Sequence, residues 1–298
     1  MPELLPNENQ VLEAIPKLLS NEFDCAKRLL AFGVSLPTTK GDLHQGSLRH
    51  DTVVTAIALF TKAMTSFRAS IHLCEIGCDR NATPVNRSLF ETSVNLAFLT
   101  RQRVTLYQFN DKNNTKPKTP VCLHGKKLTA EFRTDLYNAW NILMSEKNVR
   151  SYSSTPGVKR TGRRLQKEID DLERPYVDVI GAEWEETLRR GNTCAGLSIK
   201  DFASSLGRAY RLWYGLVYTN DSQHVHQSDM TDFLDCDEAT AMFSPRWFTT
   251  PEQIRTALHK AALIALGCIQ ELNKRFKFGK EAKDSIRDFG RELRLWDL

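Results

Sequence analysis

The chain has 298 residues, 41% hydrophobic and 26% charged, with a formal net charge of +5, the balance of a soluble globular protein long enough to bury a substantial core as one large domain or two ordinary ones. Its longest apolar run, Ala261 to Ile269, is about half the length a membrane span requires, which excludes a transmembrane helix. The seven cysteines contain no Cys-x-x-Cys pair, which excludes a zinc ribbon and a disulfide framework, and the acidic start Met1-Pro2-Glu3 lacks the basic and apolar regions of a signal peptide, so a cytoplasmic protein is expected.

Val11, Leu12, Ile15, Leu18, Leu19, Phe23, Ala26, Leu29 and Leu30 keep a helical period through residues 9–32, with Pro16 placed to kink or divide the helix and Gly33 at its C-terminal cap. Residues 35–49 are rich in turn formers, so residues 1–50 read as a helix and loop packed on a bundle made by residues 51–298. The next helix runs from Asp51 to about Gly77. Thr83-Pro84 supplies an N-cap and a proline at the first helical position, which predicts a second, antiparallel helix reaching about Arg103. Residues 107–127 hold Asn-Asp-Lys-Asn-Asn and Lys-Pro-Lys-Thr-Pro and read as a surface excursion. A helix from Thr129 to about Lys147 follows, then a loop over 151–164 that carries the densest basic cluster, Lys159, Arg160, Arg163 and Arg164.

Short helices are expected at Leu165 to Leu172 and Ala182 to Arg189. Ser198-Ile-Lys-Asp201 has the form of a capping box and predicts one helix through Tyr218. Thr250-Pro251-Glu252-Gln253 opens another to about Phe276, and an amphipathic segment from Glu281 to Leu295 closes the chain. No strand pair and no repeat is read, so the expected class is all-α, a multi-helix bundle with long loops and no substantial sheet.

Two helices carry the polar residues that stand out. Tyr210, Tyr214, Tyr218, Ser222 and His226 recur every four residues, and on a helix each such step turns only about 40°. A buried hydroxyl left without a partner costs about 1–3 kcal/mol, so this ladder calls for polar neighbours. The helix after Pro84 is apolar around most of its circumference, and Arg87, Glu91 and Asn95 form a narrow stripe within it. Buried charges persist only when paired. Two readings follow: an intrahelical ion pair that fixes register, or a pocket in which Arg87 holds an anion, Glu91 orients an imidazole and His226 moves a proton, with Tyr218, Ser222 and Asn95 as binding groups. The basic cluster at Lys159, Arg160, Arg163 and Arg164 is either a solvated loop or a surface that steers nucleic acid.

His224 and His226 lie two residues apart and on a helix point to opposite sides, so no metal site is assigned even with Asp221, Asp229, Asp232, Asp235 and Cys236 nearby. No phosphate-binding glycine loop, nucleophile elbow or zinc-protease helix occurs, and no cofactor is expected.

The segments Asn86-Arg87-Ser88-Leu89-Phe90-Glu91, Leu197-Ser198-Ile199-Lys200-Asp201-Phe202-Ala203 and Tyr218-x-x-x-Ser222-x-x-x-His226 resemble a bacterial helical family of unknown function, the domain family numbered fifty-six seventy-seven. Trp184 stands where that family places a Trp, and the resemblance covers about Val53 to Asp229. More distantly the chain is similar to the HEPN (higher eukaryotes and prokaryotes nucleotide-binding) superfamily, whose nuclease members cut RNA in toxin and antiphage systems with an Arg and a His separated by four to six intervening residues. Only Arg68-x-x-x-His72 and Arg255-x-x-x-His259 approach that spacing, each one residue short. The resemblance implies an RNA-directed, metal-independent nuclease or toxin-type effector in phage defence or stress response. The alternatives from other classes are a non-catalytic module that binds a partner protein or a second copy of itself, and a small-ligand or nucleotide sensor.

Overall fold

The computed structural model describes residues 8–38, 48–109, 117–121, 128–151, 161–171, 182–190, 193–219, 234–237, 242–245 and 250–296. Of these, 84% are helical, which makes the class all-α. Two short antiparallel hairpins, absent from the sequence reading, accompany the helices. Among the described residues no helix is long and apolar enough to cross a membrane. The chain divides into two compact units, one from Met1–Gly46, Ala56–Ala97 and Leu212–Leu298, the other from Ser47–Thr55 and Phe98–Arg211.

The first unit begins with α1 (Glu8–Leu18) and α2 (Ser20–Ser35). The chain divides at Leu19 (φ −111°, ψ 32°), three residues past Pro16, which stays inside α1. Gly33 is not a cap. It lies inside α2, where a Cβ would sit 2.6 Å from Met64 Sδ and 3.1 Å from Ile269 Cδ1, so the position is small because two neighbours approach it. Helix α3 (His50–Glu75) ends in a Schellman turn: Cys78 N–H donates to the Leu73 carbonyl at 2.8 Å, Gly77 N–H to Cys74 at 3.1 Å, and Gly77 takes φ 72°, a conformation glycine adopts without a Cβ penalty. That turn lets α4 (Asp79–Thr100) start four residues before the expected Thr83-Pro84 boundary. Pro84 is therefore inside the helix rather than at its start.

At the centre of this unit stands α10 (Pro251–Phe276). Its start is the one expected, with Thr250 Oγ1 accepting from Gln253 N–H and Gln253 Oε1 accepting from Thr250 N–H at 3.1 Å, two terminal donors satisfied reciprocally. Ile254, Leu258, Ala261, Ala265, Ile269 and Leu272 are buried together with Ala262, Leu266 and Cys268, so α10 is covered on most sides. Each fully buried Leu or Ile contributes about 1.5–3 kcal/mol. Helices α2 and α11 (Lys280–Arg294) pack on it. A hairpin of β3 (Leu234–Asp237) and β4 (Met242–Pro245) also belongs to this unit.

In the second unit, β1 (Leu106–Phe109) pairs with β2 (Pro117–Val121). Pro117 and Pro120 hide this strand from pattern reading, and a two-stranded ribbon tolerates them because each strand has an edge that needs no donor. Ser205 anchors β1 by accepting from Tyr107 N–H at 2.9 Å. Helix α5 (Ala130–Ser151) contains Arg133, fully buried, whose guanidinium lies 5.7 Å from the Phe98 ring and donates to the Arg101 carbonyl. Residues 161–171 form α6, so the basic stretch expected as loop is helical from residue 161 onward. Helix α7 (Trp184–Arg190) is tied to α5 by Arg189, which donates to Glu146 at 2.9 Å. The helix expected from Ile199 to Tyr218 is broken. Ser198 caps α8 (Ile199–Ser205), Gly207 turns the chain with φ 108°, and α9 (Arg208–Trp213) restarts it; from Leu212 the chain belongs to the first unit, where a π-turn follows at Tyr214–Thr219.

Candidate functional site

Helix α4 sets the first half of the site. Leu89, Phe90, Val94, Leu96 and Ala97 are buried on both sides of it, which leaves Arg87, Glu91 and Asn95 the narrow strip between. Beside them Asn86 is wholly buried and satisfied at both ends: Oδ1 accepts from Ser70 Oγ at 2.7 Å, and Nδ2 donates to the Ala257 carbonyl at 3.0 Å. This fixes α4 against α3 and α10 within one residue of Arg87.

The π-turn supplies the second half. Arg87 Nη2 donates to Tyr218 Oη at 2.5 Å while the guanidinium carbon lies 4.0 Å from the centre of the same ring. Tyr214 stacks on Tyr218 with centroids 5.1 Å apart and planes 18° from parallel. Phe90 flanks both, at 6.4 and 6.5 Å. Arg87 Nε sits 3.6 Å from Glu91 Oε1, and the side chains are 23% and 45% exposed. The guanidinium is thus held by a ring face, a phenol oxygen and a carboxylate, with its outer side reaching solvent. Desolvation strengthens such a cation–π contact from about 0.5–1 kcal/mol toward 2 kcal/mol.

A model of the family of unknown function DUF5677 matches residues 53–241, more than half of the chain. The chain belongs to the family of unknown function DUF5677. No curated protein and no solved structure matches it. The DUF5677 span contains both halves of the Arg87 cluster, while α1, α2, α10 and α11 lie outside it.

Of the residues singled out in this DUF5677 chain, the structure brings together Arg87, Glu91 and Tyr218. Asn95 turns its amide to the Glu91 carbonyl at 2.9 Å, a bond within its own helix. Glu91 is partly buried, as its place in the strip suggested. Ser222 and His226 lie outside the described residues, as do Lys159 and Arg160. Arg163 is exposed on α6 and Arg164 pairs with Glu168 one turn on, 3.3 Å apart, so these two sit on a charged helix face. Of the residues weighed for a metal, Asp235 and Cys236 fall on β3, and His224, Asp221, Asp229 and Asp232 lie outside the described residues. Among the described residues no group of three His, Cys, Asp or Glu side chains is arranged to hold a metal ion.

The two short Arg/His pairs differ sharply. Arg68 Nε donates to His72 Nε2 at 3.4 Å on an exposed face, and His72 Nδ1 meets Glu75 at 3.1 Å. His259 is buried against Trp296, with ring centroids 5.3 Å apart. The sequence reading placed Tyr214 on the ladder but not in the site. The signal was Gly215 amid four aromatic residues: a π-turn adds one residue per hydrogen-bonded turn, and Gly215 has open space where a side chain would be.

Proposed function

We propose that this member of DUF5677 acts on RNA, with Arg87 as its phosphate contact. The observation that carries the reading is the fixed guanidinium: stacked on Tyr218, bonded to the Tyr218 hydroxyl and beside Glu91, it is oriented before any ligand arrives, and it has donors to spare because arginine carries five. An oriented arginine binds a phosphate in two-pronged fashion and stabilises charge that develops on it. The stacked Tyr214–Tyr218 pair is of the kind on which unpaired bases lie. The spacing Tyr218-x-x-x-Ser222-x-x-x-His226 nominates His226 as acid or base for cleavage, which would make the protein a metal-independent, HEPN-like toxin or phage-defence effector in the cytoplasm. Single-stranded RNA is the probe, with wild type, Arg87→Ala, Arg87→Lys and His226→Ala followed for binding and for cleavage in the presence of a chelator. Wild type binds; Arg87→Ala weakens binding by about 1–3 kcal/mol; His226→Ala binds and does not cut. Equal binding by wild type and Arg87→Ala removes the reading.

A second reading rests on a separate observation. Leu212 and Leu216 are 53% and 49% exposed one turn apart, next to Gly215, an apolar face suited to a partner helix or a second copy of the chain. Leu216→Glu abolishes association and leaves RNA binding intact if this face serves assembly; light scattering separates the two.

A further inference from the structure

Helix α11 presents a row of cations to solvent. Counted at about 100° per residue, Lys280, Lys283, Arg287, Arg291 and Arg294 fall within about 80° of arc, and the row runs about 21 Å along the axis. All five are exposed. Ala282, Ile286 and Leu293 lie on the opposite side and are buried, where α11 packs on α10 and α2. Residues 274–294 hold eight Lys and Arg against four Asp and Glu, so a net charge of +4 out of the chain's +5 sits in this one segment. The segment lies outside the span matched by the family model. Its carboxylates stand to one flank of the row. Asp284 meets Arg287 at 3.0 Å and Asp288 meets Arg291 at 3.5 Å, while Glu292 pairs with Arg28 of α2 at 2.5 Å. Exposed pairs of this kind hold weakly, and an arginine with five donors can keep a carboxylate and take a second anion. Among the described residues, Lys280, Lys283 and Arg294 have no carboxylate within ion-pair reach. The N-terminal end of a helix disfavours positive charge, so Lys280 and Lys283 in the first turn of α11 do nothing for its own stability.

The shape of the charge selects the partner. Successive cations of the row rise by about 4.5–6 Å, a spacing of the same order as neighbouring phosphates along one nucleic-acid strand. In a duplex those phosphates are held in place by base pairing, so a rigid row of cations meets a rigid row of anions and neither partner has to be ordered. An anionic bilayer fits less well. The apolar side of α11 is spent on α10 and α2, which leaves no row of apolar side chains to enter a membrane, and a plane of headgroups would meet the flank of Asp284 and Asp288 as readily as the cations. We infer that α11 binds double-stranded nucleic acid along its phosphate backbone, through Lys280, Lys283, Arg287, Arg291 and Arg294 and without reading base sequence. This goes beyond the reading for Arg87 and does not depend on it. A single strand is the probe there and a duplex the probe here, so either can fail alone.

Fluorescence anisotropy with a labelled RNA duplex of about 20 base pairs follows binding to the full chain, to a variant with all five cations replaced by Gln, and to Asp284→Asn combined with Asp288→Asn, with thermal melting to establish that both variants are folded. The wild-type affinity falls by about 10²–10³-fold between about 50 and 200 mM salt, as five phosphate contacts require, and two duplexes of unrelated sequence bind alike. The five Gln substitutions weaken binding at the lower salt by at least about tenfold and remove about four units from the slope of log affinity against log salt. The two Asn substitutions strengthen binding, because phosphate no longer competes with carboxylates for Arg287 and Arg291. The assignment is overturned if the duplex fails to bind at the lower salt, if the five-Gln variant keeps the wild-type slope, if the Asn pair weakens binding, or if phosphatidylserine vesicles bind more tightly than the duplex through the same five residues.

Discussion

Arg87 and Tyr218 meet twice, once through the ring face 4.0 Å from the guanidinium carbon and once through the phenol oxygen 2.5 Å from Nη2. The two contacts separate by substitution. Tyr218→Phe keeps the face and removes the oxygen, at a cost of about 0.5–1.5 kcal/mol for one hydrogen bond. Tyr218→Leu removes both together with the stack on Tyr214, and costs more by about 1–2.5 kcal/mol, the cation–π and aromatic shares combined. Urea unfolding of the two variants measures the difference. Equal costs would show that the guanidinium gains nothing from lying over the ring.

Asn86 tests the anchoring of the same helix. Its amide joins Ser70 of α3 to the Ala257 carbonyl of α10 with no access to water, so Asn86→Ala leaves a hydroxyl and a cavity behind. A loss of about 2–4 kcal/mol is expected from the lost bonds and the void together. Asn86→Asp, nearly the same shape but a charge in a dry place, is no milder. A melting shift within error for either variant would mean that α4 is positioned by its apolar faces alone.

Where a residue's neighbours in sequence decide its structure, the sequence was enough. Thr250, Pro251 and Gln253 start α10 through bonds that close within four residues, and Ser198 caps α8 by the same local chemistry. Where the deciding contact comes from far along the chain, pattern reading failed. Gly33 resembled a cap because glycine usually means a turn, yet Met64 and Ile269 are what keep it small. Thr83-Pro84 carried every mark of a helix start, but the Schellman turn at Gly77 had already begun α4 at Asp79. The candidate site divides in the same way. The strip of Arg87, Glu91 and Asn95 and the phenol of Tyr218 are legible from helical periodicity. The π-turn that stacks Tyr214 on Tyr218 is not, because a wheel drawn at about 3.6 residues per turn has no place for the extra residue that a π-turn adds.

Gly267 offers a sharper test of close packing. A Cβ there would lie 2.2 Å from Trp213 Cη2 and 2.7 Å from Cζ3, a rigid ring that cannot fold away. Gly267→Ala gains helix propensity of about 1 kcal/mol, but overpacking of this kind costs about 1–3 kcal/mol, so net destabilisation is expected. Combining it with Trp213→Leu removes the clash. The double variant is then more stable than the two single losses sum to, a coupling of about 0.5 kcal/mol or more. Strict additivity in denaturation midpoints would show that the indole moves aside freely.

His259 makes stability depend on pH in a direction the structure fixes. Burial, opposed in part by the Leu293 carbonyl, holds its pKa below the ordinary 6.5. As pH falls below 6.5 the unfolded chain takes up a proton that the folded chain still refuses, so the unfolded state binds more protons and stability falls with pH. The contribution is therefore complete above the unfolded value, is lost as pH drops from there toward the folded value, and levels off once both states are protonated. His259→Phe keeps a ring against Trp296 and removes the titration. Urea midpoints from about pH 5 to about pH 7.5 are expected to fall more steeply for wild type than for the variant, since carboxylates common to both cancel in the comparison. Parallel curves would mean that the imbalance at His259 is relieved before the chain unfolds, by the ring reaching water on the acid side.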